Sequence, residues 1–341
     1  MKIRYALSYP LFMDKGGGVT QAFEGLNWLK KLGHQVEPLD WYSENIDFDV
    51  LFLFGFTHFN PEVLAFLKSK GVIIISEPIF VRVRSYLYYK VSRFLSNFTR
   101  TVYKNQYENL HLCDALFPNS NIEKNDIIRL YNVREDEIFV AYLGIPSYVF
   151  EEGDKISRDL FYNEYKITDF VFCPSARISV RKNQITLVKA LKSTGIKLVL
   201  TGCGDIEEKI KDEFLELIKG DPNIICLPLL DKKMLISAYK NARVVVFPSL
   251  AETAGLVAIE GGYLGCRLVL SDIPIFREYF LDYPIYANNK NPEDIRKKVL
   301  KALNEDYDPS SFREFLLKNR SWEAHARIVN SVLERLYESR K

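Results

Sequence analysis

The sequence has 341 residues, of which 46 are basic and 44 acidic, so its formal net charge is +2 at pH 7. This length is long for one hydrophobic core and suits two domains, and the balanced charge gives no electrostatic reason to expect nucleic-acid binding. No apolar stretch reaches the roughly 18 residues of a membrane span, and the N-terminus shows neither a signal core nor a cleavage site. We therefore expect a cytoplasmic protein that is not secreted and does not cross a membrane.

The cysteines are scattered, and no two of them have C-x-x-C spacing. Their number is odd and most lie inside apolar runs. This usage argues against a metal site and against a disulfide framework. We predict reduced core thiols at all five positions: Cys113, Cys173, Cys203, Cys226 and Cys266.

The N-terminal segment predicts a β-loop-α unit. Residues 2–9 alternate as a strand, and residues 19–32 show a helical apolar face that Gly33 ends. Between them lie Gly16, Gly17 and Gly18. A lone glycine triplet is ordinarily only a tight turn, but this one follows the first strand, at the edge where ligands bind in open α/β sheets.

Strand and helix patterns keep alternating through the first half. Strands are predicted over 35–38, 50–54, 71–75, 115–119 and 138–143, and helices over 61–69 and 121–131. This alternation is typical of repeated βα units and a parallel sheet. Residues 146–155, acidic and without apolar periodicity, are interpreted as a linker to a second domain.

Residues 80–107 carry six basic side chains and no acidic one. At about 100° per residue, an apolar side and a basic side separate, which predicts one amphipathic helix with its tyrosines toward the polar side and flanks. Two interpretations stay open: the apolar side packs on the sheet, or the helix lies against an anionic membrane surface. The apolar side comprises Val83, Leu87, Val91, Phe94, Phe98 and Val102, and the basic residues are Arg82, Arg84, Lys90, Arg93, Arg100 and Lys104.

Two cations follow the first predicted strand of the second half, 170–174. Arg177 and Lys182 lie in the loop after that strand, at the carboxyl edge of the predicted sheet. Fixed cations there can neutralise a diphosphate without a metal. Arg181, in the same loop, is predicted to be merely solvated.

The segment 243–272 organises the second half. Residues 244–247 predict a buried strand, and residues 256–264 predict a short helix preceded by Gly255. Gly255 allows close backbone approach, and the first helical amides, from Leu256 and Val257, would face an anion. Glu252 in the loop and Glu260 in the helix place two carboxylates beside this phosphate cradle.

These residues resemble the retaining glycosyltransferases of family four. The signature of that family is a PS dipeptide, then E-x7-E with a glycine three positions after the first glutamate, then G-x-x-V-x-S-D. Thr253 and Ala254 depart from the commoner Gly-Phe, and Gly261 and Gly262 replace small helix formers, which predicts close packing there. The matching positions are Pro248, Ser249, Glu252, Gly255, Glu260, Gly265, Val269 (one place late), Ser271 and Asp272.

The resemblance implies an α/β protein of GT-B architecture, with two doubly wound Rossmann-like domains facing across a cleft. Residues 1–145, with a returning helix at 320–341, would form the acceptor-side domain, and 146–319 would form the donor domain. Catalytic roles fall on Glu252, which would contact the donor sugar, and on Arg177 and Lys182, which would clamp the diphosphate. Donor binding would involve Gly17, Gly18, Gly255, Leu256, Val257, Glu260 at the ribose and Leu229 under the base.

The reaction that the resemblance implies is transfer of a hexose, with retention, from a UDP- or GDP-sugar to an acceptor hydroxyl or phosphate. No cofactor or metal is expected. The expected partners are the nucleotide-sugar, a glycan or lipid-linked acceptor, and an anionic membrane surface reached through 80–107 at the inner face of the membrane. Alternatives left open are a GT-B nucleotide-sugar epimerase or phosphorylase and a catalytically silent homologue that binds a partner enzyme.

Three local motifs need separate interpretation. Asp47-Phe48-Asp49 spells a metal-binding DxD, but it precedes a strand and so lies at the wrong edge of the sheet. Gly202-Cys203-Gly204 completes only half of a dinucleotide fingerprint, which argues against NAD. Ser76-Glu77-Pro78 stands where the family often has a histidine; Glu77 either replaces it or is an ordinary loop carboxylate, and His58 is a weaker substitute.

Overall fold

The apolar runs predicted as strands form two separate sheets in which all described strand pairs are parallel. We describe them from a computed structural model, for residues 1–8, 16–82, 84–96, 98–99 and 101–340. The chain divides into a first unit, Met1–Leu143 with Ser321–Lys341, and a second unit, Gly144–Arg320. The predicted domain boundaries lie within about two residues of these limits.

The first unit contains a five-stranded sheet in the order β2-β1-β3-β4-β5. Valine, isoleucine, leucine and phenylalanine make up most of its central strands, which are buried on both faces as parallel strands require. Its elements up to residue 131 are β1 Lys2–Leu7, α1 Gly17–Lys31, β2 Gln35–Pro38, β3 Val50–Phe54, α2 Pro61–Ser69, β4 Ile73–Glu77, α3 Tyr86–Leu95, α4 Val102–Leu112, β5 Ala115–Leu116 and α5 Asn121–Tyr131.

The second unit contains a six-stranded sheet in the order β11-β10-β9-β6-β7-β8. Helices alternate with its strands, as the predicted βα units require. Its elements are α6 Ser147–Glu152, α7 Asp159–Tyr165, β6 Phe170–Cys173, α8 Gln184–Leu191, β7 Lys197–Leu200, α9 Lys211–Ile218, β8 Ile224–Cys226, α10 Lys232–Asn241, β9 Val244–Phe247, α11 Leu256–Tyr263, β10 Leu268–Ser271, α12 Pro274–Phe280, β11 Ile285–Ala287, α13 Pro292–Asn304 and α14 Ser310–Asn319.

The last helix, α15 Trp322–Glu338, belongs to the first unit. Ser321 caps it by accepting a hydrogen bond from the amide of Ala324. Its buried Val329 and Leu333 join the core that contains Leu26 of α1. The sheet of this unit is therefore covered on that face by helices from opposite ends of the chain.

The segments 138–143 and 146–155 differ from their predicted structure. The strand predicted over 138–143 is only an isolated bridge between Leu116 and Ile138, because few of its backbone groups pair with β5. The predicted linker 146–155 contains α6, whose Val149 is fully buried and whose Phe150 packs on Tyr263. The segment has few apolar residues and no apolar periodicity, so its sequence does not predict a helix as short as α6.

The basic segment 80–107 does not form one continuous helix. Ser85 and Thr101 each accept a hydrogen bond from a backbone amide three residues later, so they cap two separate helices, α3 and α4. Periodicity alone could not show this break. Val83 and Arg100 of the predicted helix lie outside the described residues.

The packed face of α3 and α4 is also not the predicted one. Tyr89 and Tyr103 are buried, whereas the side chains of Leu87, Phe94 and Val102 are more than 60% exposed. The interpretation that the apolar side packs on the sheet is therefore wrong. Within the described parts of the chain, no helix is both long enough and apolar enough to cross a bilayer.

The expectation of five reduced thiols is wrong for two of them. Cys203 and Cys226 form a disulfide, with their Cα atoms 5.8 Å apart. Strands β7 and β8 are neighbours, and Leu200 pairs with Cys226, so the loop after β7 brings Cys203 to the end of β8. The other three cysteines are buried free thiols.

The glycine pair in α11 packs closely, as predicted. A methyl group added at Gly262 would lie 2.5 Å from Cε1 of Phe312 and 2.9 Å from Cδ1 of Leu316, both in α14. At Gly261 the nearest atoms would be 3.2 Å away, on Leu268. Helix α11 therefore depends on Gly262 for its contact with α14.

We predict that Gly262→Ala lowers the free energy of unfolding by about 1–3 kcal/mol, because Phe312 or Leu316 must move. This loss is net of the roughly 1 kcal/mol that alanine gains over glycine in a helix. Urea unfolding followed by circular dichroism measures it. Gly204→Ala is the control, since no heavy atom lies within 4 Å of the added methyl; equal or higher stability of Gly262→Ala would contradict the packing argument.

Candidate functional site

The centre of the second unit's site is Glu252, in the loop between β9 and α11. One carboxylate oxygen accepts from Nζ of Lys182 at 2.6 Å, and the other accepts from Nη1 of Arg181 at 2.9 Å. The Glu252 side chain is only 7% exposed. Since Lys182 and Arg181 lie in the loop after β6, the ion pairs join the carboxyl ends of two neighbouring strands.

These contacts determine the charge of Glu252. Burial by itself would raise the pKa of its carboxyl, but Lys182 and Arg181 lower it, with hydrogen bonds from Lys182 and Ser249, to about 2. Glu252 is therefore ionised at every pH where the protein would work. In turn, it neutralises part of the positive charge of its two partners.

Two asparagines hold the loops in place. Asn183 has a left-handed backbone, with φ of 59°, at the start of α8. Its side chain donates to the carbonyl oxygens of Pro248 at 2.9 Å and Asn289 at 2.7 Å, and Asn289 donates to that of Ser249 at 2.9 Å. The 248–252 turn is thus positioned by hydrogen bonds from two other loops at the same edge of the sheet.

Arg177 lies in the same loop as Lys182 but does not contact Glu252. Its guanidinium is half-exposed and lies 3.5 Å from Asp205. Gly202, with φ of +80°, packs against this loop so closely that a Cβ would lie 2.7 Å from the amide nitrogen of Arg177. Arg177 is therefore a solvent-facing cation on a tightly packed backbone, able to meet a ligand.

The N-terminus of α11 lies next along the chain. Gly255 has φ of +85°, and an added Cβ would lie 2.6 Å from Cε1 of Phe276. Only glycine fits both the conformation and the space. The amides of Leu256 and Val257 follow in the first turn, where helix geometry leaves amides without intrahelical partners.

Glu260 lies one turn further and is 5% exposed. The hydroxyl of Tyr239 donates to it at 3.1 Å, and Tyr148 in α6 also hydrogen bonds to it. Burial raises the pKa of Glu260 to about 7, although both tyrosine hydroxyls and the charge of Lys232 lower it. Its ionisation is therefore sensitive to pH near neutrality, unlike that of Glu252.

The other predicted donor-binding residues lie elsewhere. Leu229 is half-exposed in the loop after β8. Gly17 and Gly18 open α1 in the first unit, after β1. The donor-binding roles assigned to Leu229, Gly17 and Gly18 stay predictions.

Glu77 is neither a loop carboxylate nor an exposed one. It ends β4, is fully buried, and accepts hydrogen bonds from Gln21 of α1 and from Nε2 of His325 of α15, the latter at 2.9 Å. Gln21 also donates to Asn119 at 2.9 Å. Glu77 therefore connects sheet and helices within the first unit, and its burial argues against a direct sugar contact. His58 is exposed.

The DxD motif is positioned as the sequence predicts. Asp47 lies 3.4 Å from Arg4, and Asp49 accepts from the amide of Lys2 at 2.7 Å, at the amino edge of the first sheet. Among the described residues, no group of three or more His, Cys, Asp or Glu side chains is arranged to hold a metal ion.

The sequence analysis did not predict the site contacts of several residues. Arg181 was predicted to be solvated, which is wrong because it pairs with Glu252 and also donates to the carbonyl of Ala251 at 3.0 Å. The only signal was its position beside Lys182. The others, Tyr148, Asn183, Tyr239 and Asn289, come from four different elements, and no local spacing connects them.

Chemically, the assembly suits a negatively charged, hydroxyl-bearing ligand. Lys182, Arg181 and Arg177 supply cations, and the first turn of α11 supplies amides. Glu252 and Glu260 supply acceptors for hydroxyl groups. These are the components needed to bind a sugar and a phosphorylated group together.

Comparison with known proteins agrees with this chemistry. Residues 158–320 match the family model described as glycosyl transferases group 1. An uncharacterized glycosyltransferase of Methanocaldococcus jannaschii is 28% identical over 209 residues, covering 58% of this chain and 51% of that protein. The chain therefore spans about half the length of this relative.

Solved structures share the fold over nearly the whole chain. Sucrose-phosphate synthase from Thermosynechococcus elongatus gives a TM-score of 0.75 at 15% identity, covering 99% of both chains. HepE of Anabaena, solved with UDP and glucose, gives 0.72 at 13% identity, covering 98% of this chain and 100% of that one. Residues 158–320, within the second unit, are thus similar to the glycosyl transferases of group 1, and the two parallel α/β units have the GT-B fold.

Proposed function

We propose that the protein transfers a hexose from a nucleotide-sugar to an acceptor hydroxyl or phosphate with retention of anomeric configuration. The observation that carries this proposal is the buried Glu252 carboxylate held between Lys182 and Arg181, beside the amino end of α11. A carboxylate there can hold sugar hydroxyls, while the cations and amides bind the diphosphate.

In the proposed reaction, the bond between sugar C1 and the diphosphate oxygen breaks while the acceptor oxygen bonds to C1 on the same face. The acceptor proton passes to the leaving diphosphate, so the step needs no outside reactant. Lys182 and Arg177 stabilise the charge that develops on the diphosphate. Glu252 fixes the sugar so that C1 faces the acceptor.

The donor is proposed to be a UDP- or GDP-sugar, with Glu260 at the ribose and Leu229 under the base. The UDP and glucose in the HepE complex support a uridine nucleotide. The acceptor is proposed to be a glycan or a lipid-linked saccharide at the inner face of a membrane. The family match favours transfer over epimerisation, and incubation of donor without acceptor separates the two reactions.

A thermal-shift screen with UDP-, GDP- and ADP-sugars identifies the donor, because a ligand that binds only the folded state raises its apparent stability. The selected donor is then used for transfer assays with glycan and lipid acceptors. If no nucleotide-sugar shifts the unfolding temperature, the proposal is wrong.

Glu252→Gln should lower kcat/KM for transfer by about 10²–10³, since it removes a charged contact to the sugar. Its affinity for UDP should stay equal or increase, because Lys182 and Arg181 lose an internal competitor for the diphosphate. Isothermal titration and initial rates measure the two effects. Glu213→Gln, which breaks an exposed pair with Lys189, should change neither; wild-type turnover of Glu252→Gln would refute the assignment.

Lys182→Ala should weaken UDP binding by about 1.5–3 kcal/mol, the usual value of a charge-assisted hydrogen bond. Transfer by the wild-type protein should persist in EDTA. Both expectations follow because Lys182 and Arg177, and not a metal ion, would neutralise the diphosphate. Lys189→Ala is the matched exposed control. Strict dependence on added magnesium or manganese would return attention to Asp47 and Asp49.

Glu260→Gln should stabilise the protein at pH 8 while weakening UDP binding. Burial raises the pKa of Glu260 from its usual 4.5 to about 7, so the folded state binds an extra proton between these values. The stability contributed by this group is present below about pH 4.5 and lost as pH rises to about 7. The variant should therefore gain up to about 3 kcal/mol at pH 8, and the gain should shrink toward pH 5.

The same titration predicts that UDP affinity of the wild type falls below about pH 7, where the protonated carboxyl accepts fewer ribose hydroxyls. Glu260→Gln should lack this part of the pH dependence. The titration of UDP itself is common to both proteins, so their difference isolates Glu260. Parallel pH profiles of the two would contradict the ribose role.

A further inference from the structure

Helix α3, the residues that follow it and the start of α4 expose large apolar side chains, here called the apolar stripe. Their exposed fractions range from 47% to 75%. Soluble proteins usually expose such side chains singly, and a contiguous group marks an interaction surface. The apolar stripe comprises Leu87, Tyr88, Val91, Phe94, Leu95, Phe98 and Val102.

The outward direction of the apolar stripe is fixed by what the opposite face packs against. Tyr89 packs edge-on against Phe80 and Tyr131, with ring centroids 6.2 and 6.3 Å apart. Tyr103 stacks on Tyr131 at 5.2 Å, and its hydroxyl donates to the carbonyl of Leu130 at 2.7 Å. Because Tyr89 and Tyr103 occupy the core, turning the apolar stripe inward would expose them and break their contacts with Tyr131.

Within residues 80–107 the charged side chains have one sign. Arg84, Lys90 and Arg93 are exposed, Lys104 is half-buried, and the sequence 80–107 contains no acidic residue. Two carboxylates of α5 approach this segment and both are engaged: Glu123 accepts from the amide of Phe80 at 2.6 Å, and Asp126 accepts from Arg82 and from the hydroxyl of Tyr86 at 2.8 Å. The rim is therefore complementary to a negatively charged surface.

We propose that the apolar stripe inserts into the interface of an anionic lipid bilayer, with the neighbouring cations at the headgroups. A bilayer offers hydrocarbon beneath a layer of negative charge, which matches apolar side chains beside cations. Helices of 10 and 11 residues are too short to span it, so they would lie in its plane. This inference goes beyond sugar transfer and does not depend on it.

Insertion makes a different prediction from attraction by charge alone. Charge attraction is screened as salt increases, whereas burial of apolar side chains in the bilayer is not. Binding through the apolar stripe should therefore weaken at high salt but remain measurable. Loss of the apolar side chains should remove the salt-resistant part.

Vesicle co-sedimentation tests the proposal, with vesicles of phosphatidylcholine alone or with about one third phosphatidylglycerol. Wild type should pellet with the anionic vesicles, and partly so at high salt. Leu87→Ser with Phe98→Ser should weaken binding at least about tenfold and abolish the salt-resistant fraction. Lys90→Gln with Arg93→Gln should weaken binding to anionic vesicles at low salt.

The matched control is Leu215→Ser with Leu300→Ser, which changes two exposed leucines in the second unit and should bind as wild type does. Equal unfolding temperatures confirm that the variants fold. The proposal is overturned if wild type stays in the supernatant, or if the apolar variant pellets as well as wild type. Sedimentation velocity tests a second copy of the chain as the partner. If the protein does not bind vesicles but forms a dimer that the apolar variant disrupts, the apolar stripe binds a second copy and the membrane proposal is overturned.

UDP binding is measured on the same variants. Because Leu87 and Phe98 are not among the predicted donor-binding residues and lie outside the unit that holds Glu252, their substitution should leave UDP affinity unchanged. Failure of vesicle binding with intact UDP binding would overturn only the membrane proposal. Failure of UDP binding by wild type would overturn the proposed function and leave the vesicle result standing.

Discussion

The buried charge of Glu252 constrains the whole carboxyl edge of the second sheet. An ionised carboxylate with little access to water must be compensated by nearby cations, and removal of a partner leaves an uncompensated charge. Lys182 and Arg181 supply that compensation from a loop about seventy residues earlier in the chain. The loops after β6 and β9 must therefore keep a fixed position relative to each other. Asn183 and Asn289 fix it by donating hydrogen bonds to backbone carbonyls of the loop after β9.

The same edge carries a second carboxylate with the opposite electrostatic environment. Burial dominates at Glu260, and its pKa rises to about 7, whereas two cations bring that of Glu252 to about 2. The two glutamates are eight residues apart in sequence, yet one is a permanent anion and the other gains or loses a proton near neutral pH. Different environments thus give two identical side chains different chemical uses.

Much of the fold followed from local patterns in the sequence. The buried strand Val244–Phe247 and the helix Pro61–Ser69 have the bounds that the sequence analysis predicted. The resemblance to family four, carried in part by Glu252, Gly255 and Glu260, pointed to the same loop as the candidate site.

What the sequence could not show depends on contacts between distant residues. Nothing local distinguishes Arg181, which pairs with Glu252, from a solvated neighbour of Lys182. The disulfide between Cys203 and Cys226 follows from the order of strands in the sheet. Likewise, helical periodicity gives the two sides of α3 but not which side faces the protein, and the aromatic cluster around Tyr131 decides it.

The return of α15 to the first unit has a consequence for synthesis of the chain. During translation the whole second unit is made before α15, so the first sheet lacks this helix until the second unit has been synthesised. Until then Glu77 lacks His325, and the apolar surface that Val329 and Leu333 cover stays open. A nascent chain stalled before residue 321 would therefore present a folded domain attached to an unfinished one, which is a substrate for chaperones.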